Sequence, residues 1–512
     1  MPADFAQTIK QAYAVDGAAV DLGRGVHDGA VAPDAVVQVP LAMMNRHGLV
    51  AGATGTGKTK TLQVMAEQLS SAGVPVFVAD VKGDVSGLAA PGAPGGPAEK
   101  RDQDLGVAFE PASFSVQPLS LGGIGPGVPV RVTVSDFGPQ LLAKVLGANE
   151  TQESSLGLVF HYADTKKLAL LDLSDLRSLL SFLESDEGKA ELEGIGGLSK
   201  ATVGVLLRSL ANLESGGGTE LFGEPQLDIA DLIRVDGDRG VISCLELPAV
   251  QDKPQLFSTA LMWLLAELFE TLPEAGDLPK PKLVFFFDEA HLLFADATDA
   301  FLQSVAQTVR LIRSKGVGVF FVTQTPKDVP SDVLAQLGNR VQHALRAFTP
   351  DDAKALKATV STFPTSDLYD LEELLPSLGI GEAVVTILSE SGVPTPVVHT
   401  RLRAPRSRMA PADDVAALAA ASPLMAKYAT RLERESAREL LAARMEHAAA
   451  AAPAGAPAPA EHVPAPRVPR APREHAKESV AEQVGDFLGS RQGKALQHQV
   501  MRGVFGMLRK RL

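Results

Sequence analysis

Residues Ala51-Gly52-Ala53-Thr54-Gly55-Thr56-Gly57-Lys58-Thr59 have the types and spacing to cradle a polyphosphate. They fit G-x-x-x-x-G-K-[ST], follow the apolar pair Leu49-Val50 and precede a helical pattern, which is the context the motif requires. The glycines let successive backbone N–H groups turn toward one anion, and the helix N-terminus behind them adds a positive dipole end. This places Lys58 on the β- and γ-phosphates and the Thr59 hydroxyl on Mg²⁺, with Gly52, Ala53, Thr54, Gly55, Thr56, Gly57 and Lys60 completing the nucleotide-binding set. A nucleoside triphosphate and Mg²⁺ are the expected ligands.

A second chemical stretch is Lys282-Leu283-Val284-Phe285-Phe286-Phe287-Asp288-Glu289-Ala290-His291. A continuous apolar run ending in two acids describes a central parallel strand that delivers carboxylates to the ligand edge of a sheet. Downstream of a full phosphate loop, Asp288 is expected in the Mg²⁺ shell and Glu289 against the attacking water. His291 either caps the next helix and supports these acids, or meets substrate. Asp80-Val81-Lys82-Gly83-Asp84 ends another apolar run and reads as ligand edge or as a charged turn. Gln324, after Val317-Gly318-Val319-Phe320-Phe321-Val322-Thr323, either senses the γ-phosphate or satisfies loop backbone. Arg340 and Arg346 lie on a further strand and are candidates for an arginine donated across a subunit boundary; the alternative is an intrachain ion pair.

Positioning these groups needs strands that alternate with helices, and the chain supplies them. Val74–Asp80, Gly240–Leu247, Lys282–Phe287 and Val317–Thr323 are apolar runs separated by helical patterns, which predicts a mainly parallel α/β sheet flanked by helices. Residues 1–46 form a short N-terminal strand-like segment packed on the core, with a short helical start before strand-like pieces at 18–22 and 36–39. An ATPase-type sheet domain spans 47–408, interrupted over about 138–214 by a helical insertion in which Leu176, Leu179, Leu180 and Leu183 share a face. Ala89–Pro97 is a Pro/Gly loop. Ser422-Pro423 opens a long helix ending near Ala450 within a helical extension over 409–450. An Ala/Pro linker covers 451–478, and 479–512 is a basic amphipathic helix with Arg491, Arg502 and Arg509 on one side. That tail could bind DNA or anionic lipid, or dock on an acidic neighbouring subunit; its apolar opposite face favours docking.

Over 512 residues the net charge is −13, so the chain shows no global nucleic-acid footprint and any DNA contact must be local or formed on assembly. The single cysteine, Cys244, lies in an apolar run and reads as a buried thiol, which excludes an intrachain disulfide. No basic n-region opens the sequence and no run reaches membrane-spanning length, so a cytoplasmic protein without a membrane span is expected.

With these motifs in this order, and the phrases Asn45-Arg46-His47-Gly48 and Arg310-Leu311-Ile312-Arg313-Ser314-Lys315-Gly316, the chain resembles the HerA/FtsK superfamily of RecA-like P-loop ATPases over about 44–408. It looks closest to the bacterial HerA-like C-terminal branch. The resemblance implies ATP as the nucleotide, a homo-hexameric ring, hydrolysis at subunit interfaces and DNA threaded through the pore. It also gives Lys58 and Thr59 the Walker A roles, Asp288 and Glu289 the Walker B roles, Gln324 the sensor role, and Arg340 or Arg346 the arginine-finger role. Residues 1–46 are too few for the N-terminal β-barrel such translocases carry. The expected function is therefore an ATP-hydrolysing DNA translocase or helicase; the alternative is an ATP-gated scaffold that controls a protein partner through the insertion or the tail.

Overall fold

The strands that end in the phosphate loop and in Asp288-Glu289 both lie in the middle of one sheet. The computed structural model describes residues 3–192, 194–294 and 298–451. Its strands are β1 (Ala19–His27), β2 (Ala30–Pro40), β3 (Gly48–Ala51), β4 (Val76–Asp80), β5 (Val116–Leu121), β6 (Val128–Val130), β7 (Val235–Asp236), β8 (Arg239–Gly240), β9 (Ile242–Glu246), β10 (Leu283–Phe287), β11 (Val317–Thr323), β12 (Asn339–His343), β13 (Glu382–Thr386) and β14 (Val398–Leu402). β7 and β8 form a small ribbon, and the others make a 12-stranded sheet in the order β2-β1-β14-β13-β12-β3-β11-β10-β4-β9-β5-β6. From β12 to β6 every pairing is parallel. From β2 to β12 every pairing is antiparallel. The fold is thus the expected α/β class with a mainly parallel sheet.

Central strands buried on both faces must be apolar at every position. In β10, Phe285 and Phe287 pack on one face with Phe77, Val319 and Phe321. Val284 and Phe286 pack on the other with Val50, Val78 and Phe320. The helix Lys58–Ser71 covers this second face through Leu62, Met65 and Leu69. The helices Pro254–Thr271 and Asp299–Ile312 cover the first. Cys244 is fully buried in β9.

β11 separates β3 from β10, and all three run the same way, so their C-terminal ends share one edge. The turn into β3 is built by neighbours of the phosphate loop. His47 takes a φ of 58°, and its Nδ1 accepts from Val319 N at 3.0 Å. Asn339 Nδ2 donates to the carbonyls of Met43 and His47 at 3.1 and 2.9 Å. Burial lowers the His47 pKa to about 4, which keeps the ring neutral and able to accept.

Four elements differ from the sequence expectation. The first 46 residues hold the helical start, Ala3–Ala12, but their strand-like pieces are longer than read and form a hairpin of 9- and 11-residue strands that extends the sheet itself. β5 and β6 had no counterpart in the sequence pattern, because Pro118 and Pro129 sit inside them. The helices of the insertion begin at Val134, where Thr133 accepts from Asp136 N, and Leu176, Leu179, Leu180 and Leu183 are buried. The long helix from Ser422 is broken into Met425–Tyr428 and Ala437–Ala451. Between them the chain is held by its surroundings. Arg131 Nη1 donates to Tyr428 O at 2.9 Å, Arg431 Nη2 to Phe222 O at 2.9 Å, and Leu432 N to Glu224 O at 3.0 Å. A continuous helix would lose these bonds. Beyond Ala451, the Ala/Pro linker and the basic tail over 479–512 lie outside the described residues. Among the described residues no helix is long and apolar enough to cross a membrane.

Candidate nucleotide site

The phosphate loop is fixed at both ends by backbone. Gly52 N donates to the carbonyls of Thr323 and Gln324 at 3.2 and 3.1 Å, Ala53 N to Ala344 O at 2.8 Å, and Gly381 N to Thr56 O at 2.9 Å. At Gly52 a Cβ would stand 2.4 Å from His343 Cβ, and the φ of 153° is one that side chains rarely adopt. Gly57, with a φ of 115°, caps the helix that opens at Lys58. Thr54 and Gly55 are exposed at the loop tip, Ala53 and Thr59 are half-buried, and Thr56 is buried with its hydroxyl on Ala53 O at 2.7 Å. Lys58 Nζ donates to Gly52 O at 2.7 Å and to Ala53 O at 3.2 Å, and burial lowers its pKa. The Lys60 amine is turned away, donating to Met409 O.

Across the same edge lie the acids. Asp288 is 1% exposed, and neither of its carboxylate oxygens has a hydrogen-bond partner. Burial pushes its pKa up to about 7. Glu289 has a φ of 47°. Its Oε1 takes the Lys82 ammonium, while its Oε2 lies 3.2 Å from His291 Nδ1 without a hydrogen bond. Burial alone would raise the Glu289 pKa, but the Lys82 bond wins and holds it below the usual carboxylate range. Of the two readings of Asp80 to Asp84, the charged turn is the one seen directly. Asp80 accepts from the N–H groups of Lys82, Gly83 and Val85 at 3.2, 2.8 and 2.8 Å, shaping the turn. That turn aims Lys82 at Glu289.

Gln324 is exposed at the end of β11, one residue past Thr323, and its carbonyl belongs to the phosphate-loop anchor. The two arginines part company. Arg340 Nε donates to Leu337 O at 3.2 Å, Nη1 to Thr362 O at 2.7 Å and Nη2 to Leu334 O at 3.4 Å, and the group lies over Phe363. Every guanidinium nitrogen is thus engaged within the chain, by carbonyls where a carboxylate was the expected partner. Arg346 lies past the end of β12, not on the strand as expected, and is exposed, with Nη1 on Pro376 O at 2.7 Å.

Two residues escaped the sequence reading. His343, fully buried behind Gly52, contacts Thr61 Oγ1 through Nε2 at 2.9 Å; burial lowers its pKa to about 3, so it is a neutral wall. Glu246 ends β9 as Asp288 ends β10, and that parallel was the available signal. Burial raises its pKa to about 8, with Asp80 and Asp84 adding to the shift. A loop that a Cβ would fill, buried carboxylate oxygens without partners and an oxygen-only donor set fit a polyphosphate with a hard divalent cation.

The family model described as "Helicase HerA-like C-terminal" matches residues 27–511. The DNA double-strand break repair helicase HerA of Sulfolobus acidocaldarius is 23% identical over 361 residues, covering 68% of this chain and 64% of that protein. The protein of the same name from Saccharolobus solfataricus is 22% identical over 360 residues, covering 68% and 63%. The chain therefore spans less than two thirds of the length of these relatives. Among solved structures, the unbound bacterial conjugative coupling protein TrwBΔN70 superposes with a TM-score of 0.51 at 17% identity, covering 79% of this chain and 94% of that one. TrwB in complex with ADP and Mg²⁺ gives 0.51 at 16% identity, with 79% and 94% covered. At these identities the likeness is one of fold.

Proposed function

The chain belongs to the HerA-like helicase C-terminal family, and from that premise we propose that it is an ATP-hydrolysing motor, assembled as a homo-hexameric ring, that translocates DNA. The observation that carries hydrolysis is the pair at the end of β10: an Asp288 carboxylate with no protein partner beside a Glu289 held ionised by Lys82. In this reading the loop from Gly52 to Gly57 would receive the phosphates on its N–H groups, Lys58 would exchange its carbonyl partners for the β- and γ-oxygens, and Thr59 and Asp288 would hold Mg²⁺. Bound Mg²⁺ would neutralise charge on the phosphate oxygens. Glu289, with Oε2 free of hydrogen bonds, would orient the attacking water, and the exposed amide of Gln324 would serve that water or the γ-phosphate. Arg346 is the arginine a neighbouring subunit would receive. The HerA relatives, described as DNA repair helicases, and the TrwB complex with ADP and Mg²⁺ support this assignment.

The test is the ATPase rate with and without duplex DNA. The wild type is expected to be stimulated by DNA, and Lys58→Ala and Glu289→Gln each to lose about 100-fold or more in kcat. Absence of both stimulation and DNA binding at low salt would remove translocation and leave the ATP-gated scaffold.

A further inference from the structure

Beside Asp288, on the side of β10 that lies across from β11 and β3, the carboxylates of Asp80 and Asp84 come together with it, and Glu246 stands in register with Asp80. Asp80 ends β4 and Glu246 ends β9, and they are register partners. Donor atoms of Asp80, Asp84 and Asp288 all lie within 4.8 Å of one another. The Glu246 carboxylate reaches the same turn, since a Cβ on Gly83 would stand 3.6 Å from its Oε2. Glu246 is 3% exposed and its Oε1 has no hydrogen-bond partner; neither has Asp84 Oδ1, nor either oxygen of Asp288. The nearby cations are committed elsewhere, Lys82 to Glu289 and Lys60 to Met409 O. Among the described residues none of the four acids has an ion pair. Crowded carboxylates shielded from water ionise together only at a cost unless a cation meets them, and an all-oxygen carboxylate set selects the hard divalent ions.

We propose that Asp80, Asp84, Glu246 and Asp288 form a divalent-cation site that fills without nucleotide. It goes beyond the nucleotide-bound Mg²⁺ invoked above: Asp288 is common to both, but Asp84 and Glu246 define the new site, and neither Thr59 nor phosphate is needed. Its occupant would bridge the ends of β4, β9 and β10, and so hold the turn that carries Lys82.

The experiment uses metal-stripped full-length protein, titrated with Mn²⁺ in the absence of nucleotide and followed by the electron paramagnetic resonance signal of free Mn²⁺. The wild type is expected to bind one Mn²⁺ per chain, and its unfolding temperature to rise with the metal. Asp84→Asn and Glu246→Gln should each weaken binding by at least about tenfold, the loss known for removing even outer-shell support. Both variants should unfold no earlier than the wild type in metal-free buffer, because each removes a carboxylate from a crowded cluster. Thr59→Ala should bind Mn²⁺ as the wild type does, which separates this site from the nucleotide-bound ion. No Mn²⁺ uptake without nucleotide, uptake that both carboxylate variants retain, or loss in Thr59→Ala would each overturn the proposal.

Discussion

The bonds that a charged side chain makes within its own chain separate, at the residue scale, groups that the sequence treats alike. Asp288 and Asp80 both end apolar strands, yet Asp80 spends its oxygens on three backbone N–H groups while Asp288 spends none. Arg340 and Arg346 read as equal candidates, yet Arg340 is tied to three carbonyls. Arg340→Ala is accordingly expected to cost about 2 kcal/mol of stability by orphaning the Leu334, Leu337 and Thr362 carbonyls. Arg346→Ala should leave the unfolding temperature unchanged and reduce ATP turnover at concentrations where subunits assemble. Thermal unfolding and ATPase rates of the two variants check this, and reversed outcomes would return the trans role to Arg340. Such partner lists are invisible in one dimension, because Thr362 lies 22 residues beyond the arginine it satisfies.

At the scale of elements, the strands that position the site were legible and the edges were not. β4, β9, β10 and β11 are buried on both faces, so their sequences are apolar runs, interrupted only by Ser243 before their final residues, that end at the candidate nucleotide edge. β5 and β6 carry prolines, and Gly122, Gly123, Gly125 and Gly127 lie between them, so neither period shows. The segment that follows β14 was also silent, because its fixing is tertiary. It crosses the helix Lys58–Ser71, where buried Glu67 accepts from Arg406 N at 2.8 Å and Ser407 N at 2.9 Å and takes the Ser407 hydroxyl. Glu67→Ala should cost about 2–3 kcal/mol, the loss for leaving buried donors unpaired. Hydrogen exchange should then rise at Arg406 and Ser407 and spare β10. Unchanged protection at these amides would show that the crossing is held by packing alone.

For the molecule as a whole, the antiparallel half of the sheet supports the parallel half through the β13–β14 pair, whose Gly381 turn holds Thr56. Glu382 and His399 brace that pair at 3.2 Å. The His399 hydrogen bond holds the Glu382 pKa near 2, against an ordinary 4.5. A carboxyl depressed on folding stabilises fully above its unfolded value and ceases to do so as pH falls through the folded one. Glu382→Gln should therefore unfold earlier than the wild type at pH 6, by about 1–2 kcal/mol, and the gap should close between pH 4.5 and 2. A gap independent of pH would assign the loss to packing. Finally, the chain has one thiol, Cys244, sealed in β9, and burial raises its pKa well above the ordinary value. A maleimide dye offered to the native protein should pass it by. Any cysteine introduced at an exposed position, such as Thr54 at the loop tip, then becomes a unique fluorophore attachment point without a cysteine-free background.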